Sequence, residues 1–405
     1  MKSAQRWRGV SVLAMLAVLV AAATAVAAPT ASPGRTLAPD TRFYTPPANP
    51  GAAAQELQLR QAQQNKDAKL IEAMTKVPSA VWLTQGTPAD VTKQVRDVIK
   101  KATGQHTVPV LVAYNIPGRD CGLYSAGGAQ TTDAYAAWIN GVATGIGDAK
   151  VVLILEPDGL ASMDCLSPEH AADRLAQFNL AVDRLEQQPN AAVYLDAGNS
   201  HWQAVGTIAK RLVDAGVGRA QGFFLNVSNY NPTDAETHYG TWVSECIAFG
   251  QDTEEGGWRL GHYDWCASQY YSPFGPVNPD DTSTWHFTDD WFAANMGTAV
   301  ATTHFVVDTS RNGQGVWTPT ASYPDPQTWC NPPGRGVGLR PTANTGVPLV
   351  DAYLWVKIPG ESDGQCTRGT AGPDDPVWGF VDPAAGTWFP QAALQLAQNA
   401  NPPLG

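Results

Sequence analysis

Seven short apolar runs constrain this chain more than any other feature: Ala80–Leu83, Val110–Tyr114, Val151–Leu155, Ala192–Leu195, Gly222–Leu225, His304–Val307 and Ala352–Val356. Most are near-continuous rather than alternating, the pattern of strands buried on both faces. Amphipathic stretches lie between them, such as 90–102 and 168–187. In the second, Ala171, Leu175, Phe178, Val182 and Leu185 fall at helical spacing. Repeated strand–helix units predict an α/β fold with a parallel, barrel-like sheet, whose chemistry sits at the carboxyl ends of the strands. Residues 52–75 also have helical composition. Residues 29–51, rich in Pro, Ala and Thr, read as a disordered leader.

The residues just past each run narrow the chemistry. They read Asn115 to Cys121, Glu156-Pro157-Asp158-Gly159, Asp196-Ala197-Gly198-Asn199, Asn226 to Tyr230, Asp308 to Asn312, and Lys357 to Asp363. Carboxyls recur at strand ends and would converge on one rim. A single strand-end Asp is equally well a helix cap or turn residue. A succession of them fits that plain reading poorly.

Converging carboxyls suit two chemistries: a hard-cation site with oxygen ligands, or glycoside hydrolysis by one protonated and one ionised acid. The chain has fourteen Trp, and an indole stacks on the apolar face of a sugar ring. Trp82, Trp202 and Trp329 have polar or turn neighbours and are candidate platforms, whereas Trp355 lies within a strand run and reads as core. Acidic residues outnumber basic ones, 37 to 26, which argues against a nucleic-acid partner. The seven His are scattered without His-Glu-x-x-His, and no Gly-x-Ser-x-Gly elbow is present. Gly334–Gly338 is glycine-rich but reads as a loop. The sequon at Asn226 lies at a strand end, where a turn or ligand contact is expected.

Residues 1–28 read as a secretory signal: Lys2, Arg6 and Arg8, then small apolar residues, then Ala25-Val26-Ala27. The mature protein is expected to be extracellular, without a membrane anchor. Six Cys come after that point, an even number that suggests three disulfides, with 15 pairings open. No Cys-x-x-Cys occurs, so zinc is not expected.

These motifs resemble glycoside hydrolase family 6, the inverting β-1,4-glucanases that include endoglucanases and cellobiohydrolases. The resemblance rests on YNIPGRDC (114–121), ILEPDGL (154–160), YLDAGN (194–199), NVSNYN (226–231), DTSRNG (308–313), WCNPPGRGVG (329–338), RPTANTG (340–346) and WVKIPGESDG (355–364). It implies a distorted, incompletely closed parallel (β/α) barrel of about seven strands, one catalytic domain over 52–405. It implies Asp158 as general acid, Asp120 as the carboxyl that raises the acid's pKa and assists the water, and Asp363 as proposed base. Tyr114 would distort the sugar ring and Ser125 would hold the water. Trp82, Trp202 and Trp329 would stack on sugars, and Asn226, Lys357 and Glu361 would bond hydroxyls. Arg119 would hold Asp120, and Asp196 would support the site. The resemblance also implies disulfides Cys121–Cys165 and Cys330–Cys366, leaving Cys246–Cys266. No cofactor or metal is implied, and the expected partner is a β-1,4-glucan, bound by a monomer.

Residues 244–287 depart from the family as an insertion containing Trp258, Trp265, Tyr270, Tyr271 and Trp285. Its aromatics either extend the cleft or pack a satellite core. The short Cys330–Cys366 span favours an open cleft and endo cleavage, while the insertion pulls towards a roofed, exo-acting one. A non-catalytic polysaccharide-binding protein is the alternative from another class.

Overall fold

All seven runs become strands of a single parallel sheet, in sequence order, in the computed structural model of the chain. They are β1 (Val81–Leu83), β2 (Val110–Ala113), β3 (Val151–Leu155), β4 (Ala191–Asp196), β5 (Gly222–Leu225), β6 (His304–Asp308) and β7 (Val350–Leu354). The structure describes Met1, residues 35–254 and residues 256–405; the signal expected over 1–28 lies outside the described residues beyond Met1. The helices are α1 (Pro50–Gln61), α2 (Asn65–Thr75), α3 (Pro88–Gly104), α4 (Thr132–Ile146), α5 (Pro168–Leu185), α6 (Val205–Asp214), α7 (Thr233–Gln251), α8 (His286–Asn295) and α9 (Pro390–Gln398).

Alternation along each strand divides its side chains between two cores. Leu111, Leu153, Leu155, Val193, Leu195, Phe223 and Phe305 face the helices. Val112, Val152, Ile154, Tyr194, Phe224 and Val306 fill the inside of the sheet. That double burial is why the runs are continuous rather than alternating. The sheet is an open half-barrel. Its edge strands β1 and β7 do not pair as strands, but Ala80 N donates to Trp355 O at 2.9 Å and Trp82 Nε1 to Val356 O at 2.9 Å.

Helix starts are set by local chemistry. Thr87 and Asp90 form a reciprocal cap with Pro88 in the first turn of α3, and Ser167 caps α5 ahead of Pro168. The helical stretch 52–75 divides into α1 and α2, with Gln63 between them at φ +60°. Trp355 is buried against α1, α2 and α9, as a core residue should be.

One expectation fails here. The supposed disordered leader is packed over its described part. Leu37, Phe43 and Tyr44 are buried, and Val108 N donates to Arg42 O while Tyr44 N donates to Val108 O. Apolar residues hidden in a Pro- and Thr-rich composition carry the packing.

Gly222 permits a close approach between β5 and β6. A Cβ there would stand 1.8 Å from His304 O. Gly222→Ala is therefore expected to force β5 and β6 apart and cost about 1–3 kcal/mol or more, read by chemical denaturation.

Candidate active site

Three acids at strand ends do structural work first. Glu156, just past β3, is fully buried and accepts from Asn115 N (2.9 Å) and Ile116 N (3.0 Å). Asp196, ending β4, accepts from Leu160 N (3.0 Å), Ala161 N (2.8 Å) and Gly198 N (3.1 Å), and also from Asp158 N. Asp308, ending β6, accepts from Ser310 N (2.9 Å), Lys357 N (2.9 Å), Val356 N and Ser228 N. Each ties its own loop or a neighbouring one to the sheet. For these three acids the plain turn reading holds. Burial pushes the Glu156 carboxyl up to about 7, against the pull of the N–H donors.

Asp158 and Asp120 ride on loops locked together. Asp158 has φ +65° and Asp120 φ +57°, conformations held only because the surroundings fix them. Cys121–Cys165 joins the two loops. Buried Arg174 of α5 spans the same gap, donating to Gly159 O at 2.8 Å and Pro117 O at 3.0 Å. The other bridges are Cys246–Cys266 and Cys330–Cys366.

The three candidate carboxyls differ sharply in electrostatics. Asp158 keeps part of its surface open to solvent and makes no side-chain hydrogen bond among the described residues. Burial of the carboxyl, then the charges of Asp196, Asp120 and Asp363, push it well above the ordinary range. Burial raises Asp196 as well. Four backbone N–H groups favour the ionised form of Asp196, so the proton of this pair resides on Asp158. Burial also raises Asp120, against one N–H donated by Ser125 at 2.6 Å and the charge of Arg119.

Asp363 is the opposite case. Burial alone would raise it, but Arg311 at 2.8 Å and Lys357 at 3.2 Å outweigh that, and the carboxyl lies below its usual range. Asn331 N also donates to it at 3.0 Å, and Tyr230 Oη lies at 3.4 Å.

Around these acids, Tyr114 is buried, with its ring edge-on to Trp82 at 5.3 Å and under the Arg119 guanidinium at 4.5 Å. Burial, then Asp158 and Asp120, push its phenol well up, so it stays a proton donor. Trp202 and Trp329 are each 37% exposed, Trp329 beside Tyr124. Ser125 is half-buried next to Asp120.

Four of the expected site residues have partners within the protein. Asn226 is fully buried and its amide is consumed by Asn231 and Asp308 O, so it shapes the turn instead of meeting a ligand. Arg119 does not pair with Asp120. It donates to Ser125 O, Thr84 O and Tyr114 O, and so holds the loop that supplies the Ser125 N–H. Lys357 is committed to Asp363 and Ser362 O, leaving one N–H for anything else. Glu361 accepts from Asn49 Nδ2 at 2.8 Å, ahead of α1, and burial raises its pKa.

Sequence reasoning also missed Arg311, Tyr230 and Asn331, which contact Asp363 from other loops, and Arg174 of α5, which ties the Asp120 and Asp158 loops together. Only a folded chain brings them there. The Asp-x-Gly and Asp-x-Ser spacings at 196–198 and 308–310 were the available signal for the turn-clamping acids.

Among the described residues, Cys366, Asp375 and Asp382 bring potential metal ligands within 4.8 Å of one another. The Cys366 sulfur is in a disulfide and Asp375 pairs with buried Arg368, so this donor set does not suit a cation.

Residues 38–400 match the family described as Glycosyl hydrolases family 6. The chain is 36% identical to Endoglucanase 1 of Streptomyces sp. (strain KSM-9), covering 81% of this chain and 71% of that protein. It is 31% identical to a probable 1,4-beta-D-glucan cellobiohydrolase C of Neosartorya fischeri, over 82% of this chain and 71% of that one. The chain covers 62% of the length of Endoglucanase A of Cellulomonas fimi and 88% of that of Endoglucanase 1 of Streptomyces halstedii. Among solved structures it resembles the endoglucanase Cel6 of Mycobacterium tuberculosis in complex with methyl-cellobiosyl-4-deoxy-4-thio-beta-D-cellobioside, with a TM-score of 0.64 and 36% identity. That likeness covers 89% of this chain and 97% of that one.

Two outcomes test this electrostatic picture. Asp363→Ala leaves buried Arg311 and Lys357 without their counter-charge and is expected to cost about 3–5 kcal/mol in denaturant unfolding. Asp158 has the opposite sign. Its raised folded pKa gives stability that is full below the unfolded pKa and lost as pH rises through the folded one. Asp158→Asn should therefore melt higher than the wild type at alkaline pH.

Proposed function

The chain belongs to glycosyl hydrolase family 6 and is a glycoside hydrolase acting on β-1,4-glucans, and we propose that it is a secreted endoglucanase that cuts cellulose with inversion at the anomeric carbon. The observation that carries the mechanism is the divergence of two neighbouring carboxyls, Asp158 raised and Asp363 lowered.

In this reading Asp158 holds a proton near neutral pH and gives it to the departing glycosidic oxygen. The positive charge that develops on the ring is met by the ionised Asp363 and Asp196. A water attacks from the opposite face, in a gap of roughly 6.5–9.5 Å between acid and base. Asp363 was expected to be the base, but its oxygens are engaged by Arg311, Lys357 and Asn331, and a carboxylate so held is a weak one. Asp120 has a raised pKa and a single backbone donor, and suits the role of accepting the water's proton through solvent. Tyr114, near enough to feel the charges of Asp158 and Asp120, would press the sugar towards a flattened ring.

Endo action is supported by the short loop closed by Cys330–Cys366 and by endoglucanase names among the relatives of higher identity. Secretion is supported by the signal-like N-terminus and three disulfides, which persist in oxidising compartments. No helix among the described residues is long and apolar enough to cross a membrane.

Asp158→Asn is expected to lose at least about 10²–10⁴-fold in kcat on carboxymethylcellulose. Asp120→Asn removes a negative charge beside Asp158, so the alkaline limb of the pH–rate profile should move to lower pH. An unmoved limb would contradict the coupling. Viscosity should fall well before reducing sugar accumulates; parallel changes would mean exo attack.

A further inference from the structure

The insertion splits into two parts with different fates. Cys246, Tyr263, Cys266, Ala267 and Trp285 join the main core. The turn at Ser268–Tyr271 does not. Tyr270 is 42% exposed and Tyr271 65% exposed, although large rings are costly to leave in water.

This turn is rigidly mounted. Ser268 N donates to Tyr271 O at 2.8 Å, closing it. Cys266, two residues earlier, is bridged to Cys246 in α7, and Thr288 Oγ1 donates to Ser268 O at 2.9 Å. The buried Gln269 side chain donates to Ser200 O and to Gln203 O, 2.9 Å each. Those two carbonyls flank Trp202 in the loop after β4. A second tie runs from His201 to Asp280 at 3.4 Å. Trp202 in turn lies against Gly198, and Gln203 Nε2 donates to Ala161 O at 2.7 Å, three residues from Asp158. The turn that carries the exposed tyrosines is thus fixed to the loop that carries exposed Trp202, and that loop is tied to the one that follows Asp158.

We propose that Tyr270 and Tyr271 form an additional sugar-binding subsite, continuing the cleft beyond Trp202 and gripping a β-1,4-glucan chain farther from the cut. Aromatic rings on a fixed mount bind the apolar face of a pyranose with little ordering cost. The inference rests on the reading of the cleft as a glucanase site. Binding energy from this remote contact is available to the chemical step, so it acts only on substrates long enough to reach it.

The test measures kcat/KM on cello-oligosaccharides from three to six glucosyl units, with the full chain. In the wild type the value should climb with length. In Tyr270→Ala/Tyr271→Ala the ratio of longest to shortest should fall by about tenfold, the scale of one stacking side chain. Cleavage of the shortest should stay unchanged. Tyr271→Ala alone should lower the ratio by a smaller factor, and Tyr271→Phe should keep it. A wild-type ratio in the folded alanine variants, judged by their melting temperature, would overturn the subsite while leaving the glucanase reading intact. A wild type that cleaves none of the oligosaccharides would overturn both.

Discussion

A buried carboxylate at the end of β4 underlies the whole centre. Asp196 accepts backbone N–H groups from Asp158, Leu160 and Ala161, and so sets the loop that presents Asp158. Because those donors keep Asp196 ionised, its charge stands beside Asp158 and opposes a second one there. A single side chain therefore supplies both the geometry and the field. Asp→Asn at 196 would leave too few acceptor lone pairs and lose the charge together.

From that constraint comes the division of labour. Every acid in the cluster is desolvated, so burial alone would make them alike. Their partners separate them. Asp158 has neighbours of its own sign, Asp363 has two cations, and Asp120 has one N–H and a more distant guanidinium. The environment pushes the pKa values apart, and acid and base roles arise from that separation. Rigid ties between the loops, Cys121–Cys165 and Arg174 above all, keep the separation from relaxing.

The fold was nearly all legible, because a strand buried on both faces writes a continuous apolar run and seven of these stood in the chain. β7 came out two residues earlier than its run, at Val350–Leu354, since Trp355 and Val356 turn to other partners. The catalytic candidates were legible through motif resemblance, and their convergence through strand-end position. Their partners were not. Arg174 comes from a helix and Arg311 and Asn331 from distant loops, and no local pattern marks an arginine that will meet a carbonyl across a barrel rim. Asn226 misled for a related reason. Its motif stands at a strand end, but whether an amide faces the cleft or the turn depends on the loop's fold, and Asn231 claims it. The leader misled because Leu37 and Phe43 are few in number yet decisive in contact.

All of this requires Asp158 to carry a proton at neutral pH before any substrate binds. Carbon-detected NMR of the carboxyl resonances, in wild type and Asp158→Asn, reads that protonation directly. One carboxyl should titrate well above the ordinary aspartate range and be missing from the variant. If the signal lost on substitution instead titrates at about the ordinary aspartate value of 3.9, the field ascribed to Asp196 and Asp120 does not exist and the acid assignment falls with it.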